Sequence, residues 1–205
     1  MTLRIALFFA MFVTATAAAA EPTKIIFVGD SLTEGYQLPK EQSFPSLVGK
    51  KFKADGKDVI IVNAGVSGAT TASGISRLKW HLKGKPKPKL VVLALGGNDG
   101  LRGQDVKNSK ENLRAVIKLA KQENMQVLLA GMKIPPNYGK KYTDDFENMF
   151  PALAKEEDVT LIPFLLEGVA ADPKLNLPDG IHPNAKGYEI IAATVYKHLS
   201  PLVSK

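Results

Sequence analysis

Five short apolar runs recur along the chain, and they predict the strands of a sheet. The runs are rich in Val, Ile and Leu and are nearly continuous in apolar character, which is typical of strands covered on both faces. The predicted strands are residues 24–28, 59–63, 90–95, 126–131 and 159–163.

Longer segments with helical periodicity lie between these runs. In residues 106–122, for example, Leu113, Val116 and Ile117 share one helical face. Because strands and helices alternate with short connections, the chain is predicted to form a parallel α/β sheet. Five strands fit a flavodoxin-like, three-layer α/β/α sandwich. The predicted helices are residues 73–83, 106–122, 144–155 and 185–199.

Small polar loops that are rich in glycine follow the predicted strands. Residues 29–32 (GDSL) follow the first strand, residues 64–68 (AGVSG) the second and residues 96–99 (GGND) the third. The fourth and fifth strands lead to residues 132–139 and, after a longer stretch, to residues 179–182 (DGIH). In parallel sheets the functional loops lie beyond the carboxyl ends of the strands, so these loops are predicted to meet at one edge.

The first 20 residues are predicted to be a secretory signal peptide. Arg4 precedes an apolar run over residues 5–13, and residues 14–20 end in four alanines, which gives the basic start and Ala-x-Ala exit of such peptides. The apolar run is shorter than the roughly 20 residues that span a bilayer, although an uncleaved anchor is the alternative. Cleavage after Ala20 would leave residues 21–205 as one domain, in the periplasm or outside the cell.

Charge and composition narrow the possible functions. Removal of Arg4 lowers the net charge from +7 to +6, and the lysines are spread along the chain except for a cluster in residues 83–89 that prolines interrupt. The chain has no arginine-rich helix and no aromatic-plus-basic repeat, so we expect no nucleic-acid partner, while a weak attraction to acidic lipid headgroups stays open. The lack of cysteine excludes a thiol nucleophile and a Cys-based zinc site.

His182 is the candidate general base among three histidines. It stands in a loop before a proline, whereas His81 and His198 fall in predicted helices, as surface or packing residues. Asp179 lies three residues earlier, across a glycine turn, and its carboxylate can accept a hydrogen bond from Nδ1–H of His182. That bond would leave Nε2 as the base. An ordinary Asp-Gly turn with an exposed histidine is the alternative.

Ser31 is the candidate nucleophile, because a serine just after a buried strand and a glycine turn is held at the sheet edge. The alternative is a helix N-cap at Ser31 with Glu34 as its capping-box partner, and the two roles are compatible. The motif is not the G-x-S-x-G elbow of α/β-hydrolases, since Thr33 occupies the place of the last glycine.

Three groups are candidates for the oxyanion hole that a tetrahedral intermediate requires. Gly68 can offer a backbone N–H with no side chain in the way, Asn98 can offer a side-chain amide, and Ser31 its own backbone N–H. Taken one at a time, these motifs are weak, because ordinary turns also contain them.

Taken together, the GDSL, Gly68, GGND and DGIHP segments resemble the SGNH, or GDSL, hydrolase family in order and setting. The resemblance covers nearly the whole chain after the predicted signal peptide. It is strongest to the bacterial periplasmic thioesterase–lysophospholipases and arylesterases of that family, and residues 96–103 (GGNDGLRG), 136–139 (PNYG) and 179–184 (DGIHPN) support it. Ala69 departs from the many members that carry Asp there, which puts the loop capping and the substrate range in doubt but not the triad.

The resemblance implies a catalytic triad of Ser31, His182 and Asp179. It also implies an oxyanion hole formed by Ser31, Gly68 and Asn98. The implied enzyme is a serine esterase or thioesterase with an acyl-enzyme on Ser31, which acts on acyl-CoA, lysophospholipid or aryl esters without a cofactor.

Two other functions stay open. A carbohydrate or peptidoglycan O-deacetylase would use the same triad, and a non-catalytic flavodoxin-like protein would hold an anion at helix N-termini. The pairing of Asp179 with His182 favours a hydrolase, because an anion-binding protein has no use for it. No G-x-G-x-x-G, P-loop or H-E-x-x-H motif is present, so we expect neither a nucleotide cofactor nor a catalytic metal.

An apolar groove for the acyl chain is predicted beside the oxyanion hole, with Leu101, Ile134 and Tyr138 as substrate-binding residues. Glycines bracket residues 101–102 and predict that residues 99–104 move when an acyl chain binds; an ordinary polar loop is the alternative. We expect a monomer that acts on a small-molecule or lipid acyl ester or thioester, without stable insertion into a membrane.

Overall fold

The apolar strands form one parallel sheet in the computed structural model, which describes residues 21–203. They lie in the order β2-β1-β3-β4-β5, and each neighbouring pair is parallel. The predicted signal peptide, residues 1–20, lies outside the described residues. The strands are β1 (Thr23–Gly29), β2 (Val59–Gly65), β3 (Leu90–Ala94), β4 (Gln126–Ala130) and β5 (Thr160–Ile162).

Helices cover both faces of the sheet. On one face α2 packs against α7, and on the other α3, α5 and α6 lie side by side. The predicted three-layer α/β/α fold with a five-stranded parallel sheet is therefore confirmed. The helices are α1 (Ser31–Glu34), α2 (Phe44–Ala54), α3 (Gly74–Leu82), α4 (Gly97–Leu101), α5 (Val106–Gln122), α6 (Lys140–Glu156) and α7 (Ala185–Leu199).

The core lies between the sheet and these two helical layers. All residues of the central strand β3 are buried, and each buried Val or Leu contributes about 1.5–3 kcal/mol to stability. β2 differs because it is an edge strand: residues 59–62 are only half-buried. Val59, Ile61 and Val62 nevertheless pack against the core.

α2 lies outside the predicted helices, although its sequence carries a helical signal. Phe44, Val48 and Phe52 are spaced four residues apart and are fully buried. Pro45 occupies the first turn, where a missing N–H costs no helical hydrogen bond. The apolar face of this helix is narrow but regular. The sequence does not predict the helix because a proline and a lysine-rich segment occur together there.

The sheet brings three of the predicted functional loops to one edge. Gly29, the last residue of β1, pairs with Gly65 on one side and with Ala94 on the other. The chain segments that leave β1, β2 and β3 therefore start side by side. This edge, at which the strands end, is called the carboxyl edge below, and the opposite one the amino edge.

Candidate active site

Ser31 lies where the chain turns from β1 into α1. Asp30 caps this helix, since its carboxylate accepts the backbone N–H of Leu32 at 3.0 Å. The alternative in which Ser31 is the N-cap is therefore wrong, and Ser31 is the first helical residue. Its backbone N–H belongs to the first turn, where no preceding helical carbonyl can accept it.

Two glycines keep this turn close to the sheet. A Cβ on Gly29 would lie 1.9 Å from Oγ1 of Thr33 and 2.9 Å from the carbonyl oxygen of Ala94. A Cβ on Gly65 would lie 2.2 Å from the backbone nitrogen of Glu34. A side chain at either position would push α1 away from the sheet edge and would displace Ser31.

His182 joins Ser31 to Asp179 through its two ring nitrogens. Nε2 lies 2.9 Å from Oγ of Ser31, and Nδ1 lies 2.8 Å from Oδ2 of Asp179. The other carboxylate oxygen of Asp179 accepts the backbone N–H groups of Ile181 and His182, each at 3.0 Å. With a proton on Nδ1, the lone pair of Nε2 faces the Ser31 hydroxyl.

Hydrogen bonds stabilise the ionised form of Asp179. Partial burial raises the pKa of this carboxyl, but the hydrogen bonds from the backbone and ring of His182 and from the Ile181 backbone outweigh that effect, so the pKa lies below its ordinary value. An ionised carboxylate here fixes the tautomer of His182 and stabilises the imidazolium that forms on proton transfer. Gly180 adopts a φ of +74°, a left-handed conformation that glycine tolerates and that the turn requires.

Tyr36 packs against the His182 ring, a contact that the sequence does not predict. The two ring centroids lie 4.3 Å apart and the ring planes are inclined by 32°. This contact restricts the imidazole to the orientation that reaches Ser31. The sequence carries no motif at this position, because the contact joins two segments that lie far apart in the chain.

The predicted oxyanion donors, Gly68 and Asn98, line the same cavity as Ser31. Gly68 has a φ of +77°, in the left-handed region that favours glycine. The side-chain amide of Asn98 donates one hydrogen bond to the carbonyl oxygen of Ala69 at 3.0 Å, which orients the amide. An amide nitrogen carries two N–H groups, so the second one remains for a ligand.

Two carboxylates hold the segments that carry these donors. Glu34 accepts the backbone N–H of Ser67 at 2.7 Å and also its hydroxyl. Asp99 is fully buried and accepts the backbone N–H of Thr71 at 3.0 Å. Glu34 therefore fixes Ser67, the neighbour of Gly68, to α1. Asp99, the neighbour of Asn98, fixes α4 to the segment that contains Thr71.

Asp30 is a second buried carboxyl at this edge. Burial raises its pKa to about 6, although the hydrogen bond from Leu32 and the proximity of His182 act in the opposite direction. A Cβ on Gly97 would lie 3.3 Å from the Asp30 carboxylate, so this side chain packs close to the start of α4.

An apolar cavity of about 500 Å³ opens beside Ser31. Leu101 and Ile134, two of the predicted substrate-binding residues, line it. Tyr138 does not: its hydroxyl donates a hydrogen bond to the carbonyl oxygen of Leu101 at 2.7 Å, so it supports the groove from outside. The other apolar lining residues include Leu32, Tyr36, Met132, Phe164, Leu166, Ala170 and Ile181.

Residues 99–104, for which the sequence predicts either movement on substrate binding or an ordinary polar loop, are partly helical. The first three belong to α4, and Gly100 is buried. A Cβ on Gly100 would lie 2.5 Å from Cγ2 of Ile134 and 2.8 Å from the Phe146 ring. Gly100 therefore allows close packing of α4 against the groove rather than a hinge.

Comparisons with known proteins identify the family of the chain. Residues 27–190 match the GDSL-like lipase/acylhydrolase family. The chain is 39% identical over 193 residues to an arylesterase of Vibrio mimicus, which covers 92% of this chain and 96% of the relative. It is 38% identical over 196 residues to thioesterase 1/protease 1/lysophospholipase L1 of Escherichia coli K12, which covers 96% of this chain and 91% of the relative. The crystal structure of TesA matches with a TM-score of 0.84 at 38% identity, over 88% of this chain and 99% of that one.

The chain belongs to the GDSL-like lipase/acylhydrolase family. It is a hydrolase with the esterase or thioesterase activity of that family. The resemblance seen in the sequence is thus confirmed, and the alternative of a non-catalytic anion-binding protein is set aside.

Residues 21–203 include no helix that is long and apolar enough to cross a membrane. The same residues contain no group of three or more His, Asp or Glu side chains placed to hold a metal ion.

Proposed function

We propose that the protein hydrolyses esters and thioesters of medium or long acyl chains through an acyl-enzyme on Ser31. One observation carries the proposal. Asp179, His182 and Ser31 form a hydrogen-bonded series, and its Ser31 end lies in an apolar cavity of about 500 Å³. A cavity of that size holds far more than an acetyl group. Each methylene that an acyl chain buries there contributes up to about 0.8 kcal/mol.

The first half of the reaction forms the acyl-enzyme. Nε2 of His182 takes the proton of Ser31 as Oγ attacks the acyl carbonyl carbon. The backbone N–H groups of Ser31 and Gly68 and the Asn98 amide stabilise the resulting oxyanion. When the intermediate collapses, the bond to the alcohol or thiol breaks and His182 gives the leaving group its proton.

The second half releases the acid. A water molecule attacks the acyl carbonyl carbon while His182 takes one of its protons. The bond to Oγ then breaks, and His182 returns the proton to Ser31. Asp179 stays ionised throughout and stabilises the imidazolium in both halves.

The names of the relatives support a reaction with both esters and thioesters, since one is an arylesterase and another a thioesterase and lysophospholipase. The apolar lining by Leu101, Ile134, Phe164 and Leu166 supports an acyl chain rather than a sugar in the cavity. An O-deacetylase would need room for a carbohydrate beside Ser31 and none for a long chain.

A panel of substrates tests this proposal. The kcat/KM for p-nitrophenyl esters should increase from acetate to octanoate by a factor of tens, because the added methylenes become buried. Acyl-CoA and lysophospholipid, run beside the esters, measure the preference between thioester and lipid ester. The Ser31→Ala variant controls for background hydrolysis. If acetate were the best substrate, a small-pocket arylesterase or deacetylase would replace the proposal.

We also propose that residues 1–20 direct export and are removed after Ala20. The support is the basic start, short apolar run and alanine-rich end of this segment. The intact mass of the protein purified from the periplasm or the medium tests this directly. The mass should correspond to a chain that begins at Glu21; a full-length mass would contradict cleavage.

A further inference from the structure

An exposed tryptophan lies among lysines on the side of the molecule opposite the active site. Trp80 is 70% exposed, and the ammonium group of Lys83 lies 5.6 Å from its ring centroid. Trp80 is near the end of α3, and residues 83–89 lead from that helix into β3. Because these segments precede a strand, they lie at the amino edge of the sheet.

This region carries positive charge that no acidic residue of the same segment offsets. Residues 77–89 contain six Lys or Arg and no Asp or Glu, in a chain whose net charge is +7. In the connection into β3, exposed lysines alternate with the half-buried Pro86 and the buried Pro88. The lysines of this connection therefore face the solvent. The exposed lysines of this region are Lys79, Lys83, Lys85, Lys87 and Lys89.

Neighbouring segments add to the positive field. The ammonium group of Lys24 lies 3.3 Å from the point at which Gly84 would carry a Cβ. The pKa of His81 is lowered, first by burial and then by the nearby cations Arg77 and Lys24. Within residues 21–203, the lysines of this region form one ion pair, between Lys87 and Glu123 at 3.3 Å. Lys79, Lys83 and Lys85 are therefore the lysines to change in a test.

We propose that this basic face, formed by Trp80, Lys79 and residues 83–89, docks the protein on the surface of an anionic lipid bilayer. Lysines near such a surface are attracted by its negative potential. Tryptophan prefers the boundary between headgroups and acyl chains, where its ring is buried and its N–H stays hydrated. A nucleic acid fits this face less well, because a single aromatic side chain gives no stacking platform for successive bases.

Docking at the amino edge leaves the active site free. Ser31 and its cavity lie at the carboxyl edge, on the far side of the sheet. The bound protein therefore presents its cavity to the aqueous phase. A soluble ester should be hydrolysed at the same kcat with and without vesicles, whatever the preferred acyl chain of the enzyme.

Vesicle binding of the chain from Glu21 onward, which contains all of the described core, tests the proposal. Trp80 is the single tryptophan of the chain, so intrinsic fluorescence reports directly on this face. With vesicles of equal parts phosphatidylglycerol and phosphatidylcholine, we expect cosedimentation and a shift of the emission to shorter wavelength. Pure phosphatidylcholine should give neither, and about 0.5 M salt should release the protein, because salt screens exposed charges.

Two matched triple variants localise the binding. Lys79→Gln with Lys83→Gln and Lys85→Gln should weaken partitioning to anionic vesicles on the order of 10²-fold. The control changes three exposed lysines near the carboxyl edge. It should change partitioning less than about threefold, because the carboxyl edge faces away from the membrane when the amino edge is docked. Circular dichroism checks that both variants fold. The control substitutions are Lys40→Gln, Lys107→Gln and Lys174→Gln.

Several results would overturn the proposal. Equal weakening by both triple variants would mean that net charge alone, and not this face, drives the binding. An emission spectrum that stays unchanged in cosedimenting protein would place Trp80 away from the membrane. Binding of duplex DNA, under salt conditions in which vesicles do not bind, would make this face a nucleic-acid surface instead. Loss of kcat on a soluble ester upon vesicle binding would place the docking surface at the active site.

Discussion

The Glu34 carboxylate accepts hydrogen bonds from both the backbone N–H and the hydroxyl of Ser67. Glu34 ends the short helix that begins at Ser31, and Ser67 directly precedes Gly68. This one contact therefore couples the position of the nucleophile to that of a proposed oxyanion donor. The two residues are 33 positions apart in the chain.

Removal of this contact should affect the rate more than the binding of substrate. Glu34→Ala should lower kcat about tenfold with little change in KM, because a displaced Gly68 N–H stabilises the transition state less well. Glu34→Gln keeps an oxygen that can accept the Ser67 N–H and should recover most of the rate. Steady-state kinetics on a p-nitrophenyl ester measure both variants. An increase in KM at constant kcat would instead place Glu34 in substrate binding.

The buried Asp30 should make stability depend on pH. Its pKa is raised from 3.8 to about 6, so the folded protein binds this proton more tightly than the unfolded chain does. The free energy of unfolding should therefore decrease as pH increases from about 4 to about 6, by about 3 kcal/mol from this group.

Asp30→Asn isolates that contribution. The asparagine retains an oxygen for the Leu32 N–H but carries no charge, so the variant should lack this part of the pH dependence and be more stable than the wild type at pH 8. Urea unfolding of both proteins at pH 4, 6 and 8 provides the measurement. A stability difference that is the same at all three pH values would show that burial of the Asp30 charge is not costly.

Asn98 should act mainly on the developing charge. Asn98→Ala should lower kcat by about 10²–10³ with a smaller change in KM, as expected for the loss of one oxyanion donor. Steady-state kinetics with the same ester give both constants. If KM alone changed, Asn98 would bind the ground state of the substrate and would not belong to the oxyanion hole.

The apolar groove should select acyl-chain length. Ile134→Ala should lower kcat/KM for octanoate about tenfold and for acetate less than about twofold, because only the longer chain loses contacts. Gly100→Ala should act in the same direction, since its added methyl group displaces Ile134. Ile190→Ala, the same truncation at an exposed residue of α7 that does not line the cavity, is the control. An equal decrease for acetate and octanoate in the two groove variants would remove Ile134 from the acyl-chain site.

Most of the fold follows from the apolar runs. They predict each of the five strands to within two residues of its observed ends, because buried parallel strands leave continuous stretches of Val, Ile and Leu. The same parallel arrangement predicts that Ser31, Gly68 and Asn98 meet at one edge. The spacing of Phe44, Val48 and Phe52 also indicates α2 once Pro45 is placed in the first turn of a helix.

The rest of the site depends on contacts that no local pattern encodes. Phe164 and Leu166 enter the cavity from the irregular segment after β5, whose path the sequence does not specify. Glu34 has the spacing of a capping-box partner for Ser31, but Asp30 already caps the helix and leaves Glu34 to bind Ser67. Tyr138 lies four residues after Ile134, which lines the cavity, yet its own side chain points to the Leu101 carbonyl oxygen and does not line the cavity.

The kcat of purified Ser31→Ala on a p-nitrophenyl ester tests the central claim, that Ser31 is the nucleophile which His182 activates at 2.9 Å. We predict a decrease on the order of 10³-fold or more with an unchanged circular dichroism spectrum, because only the oxyanion hole and the cavity remain. A Ser31→Ala enzyme that retained most of the wild-type kcat would contradict the account.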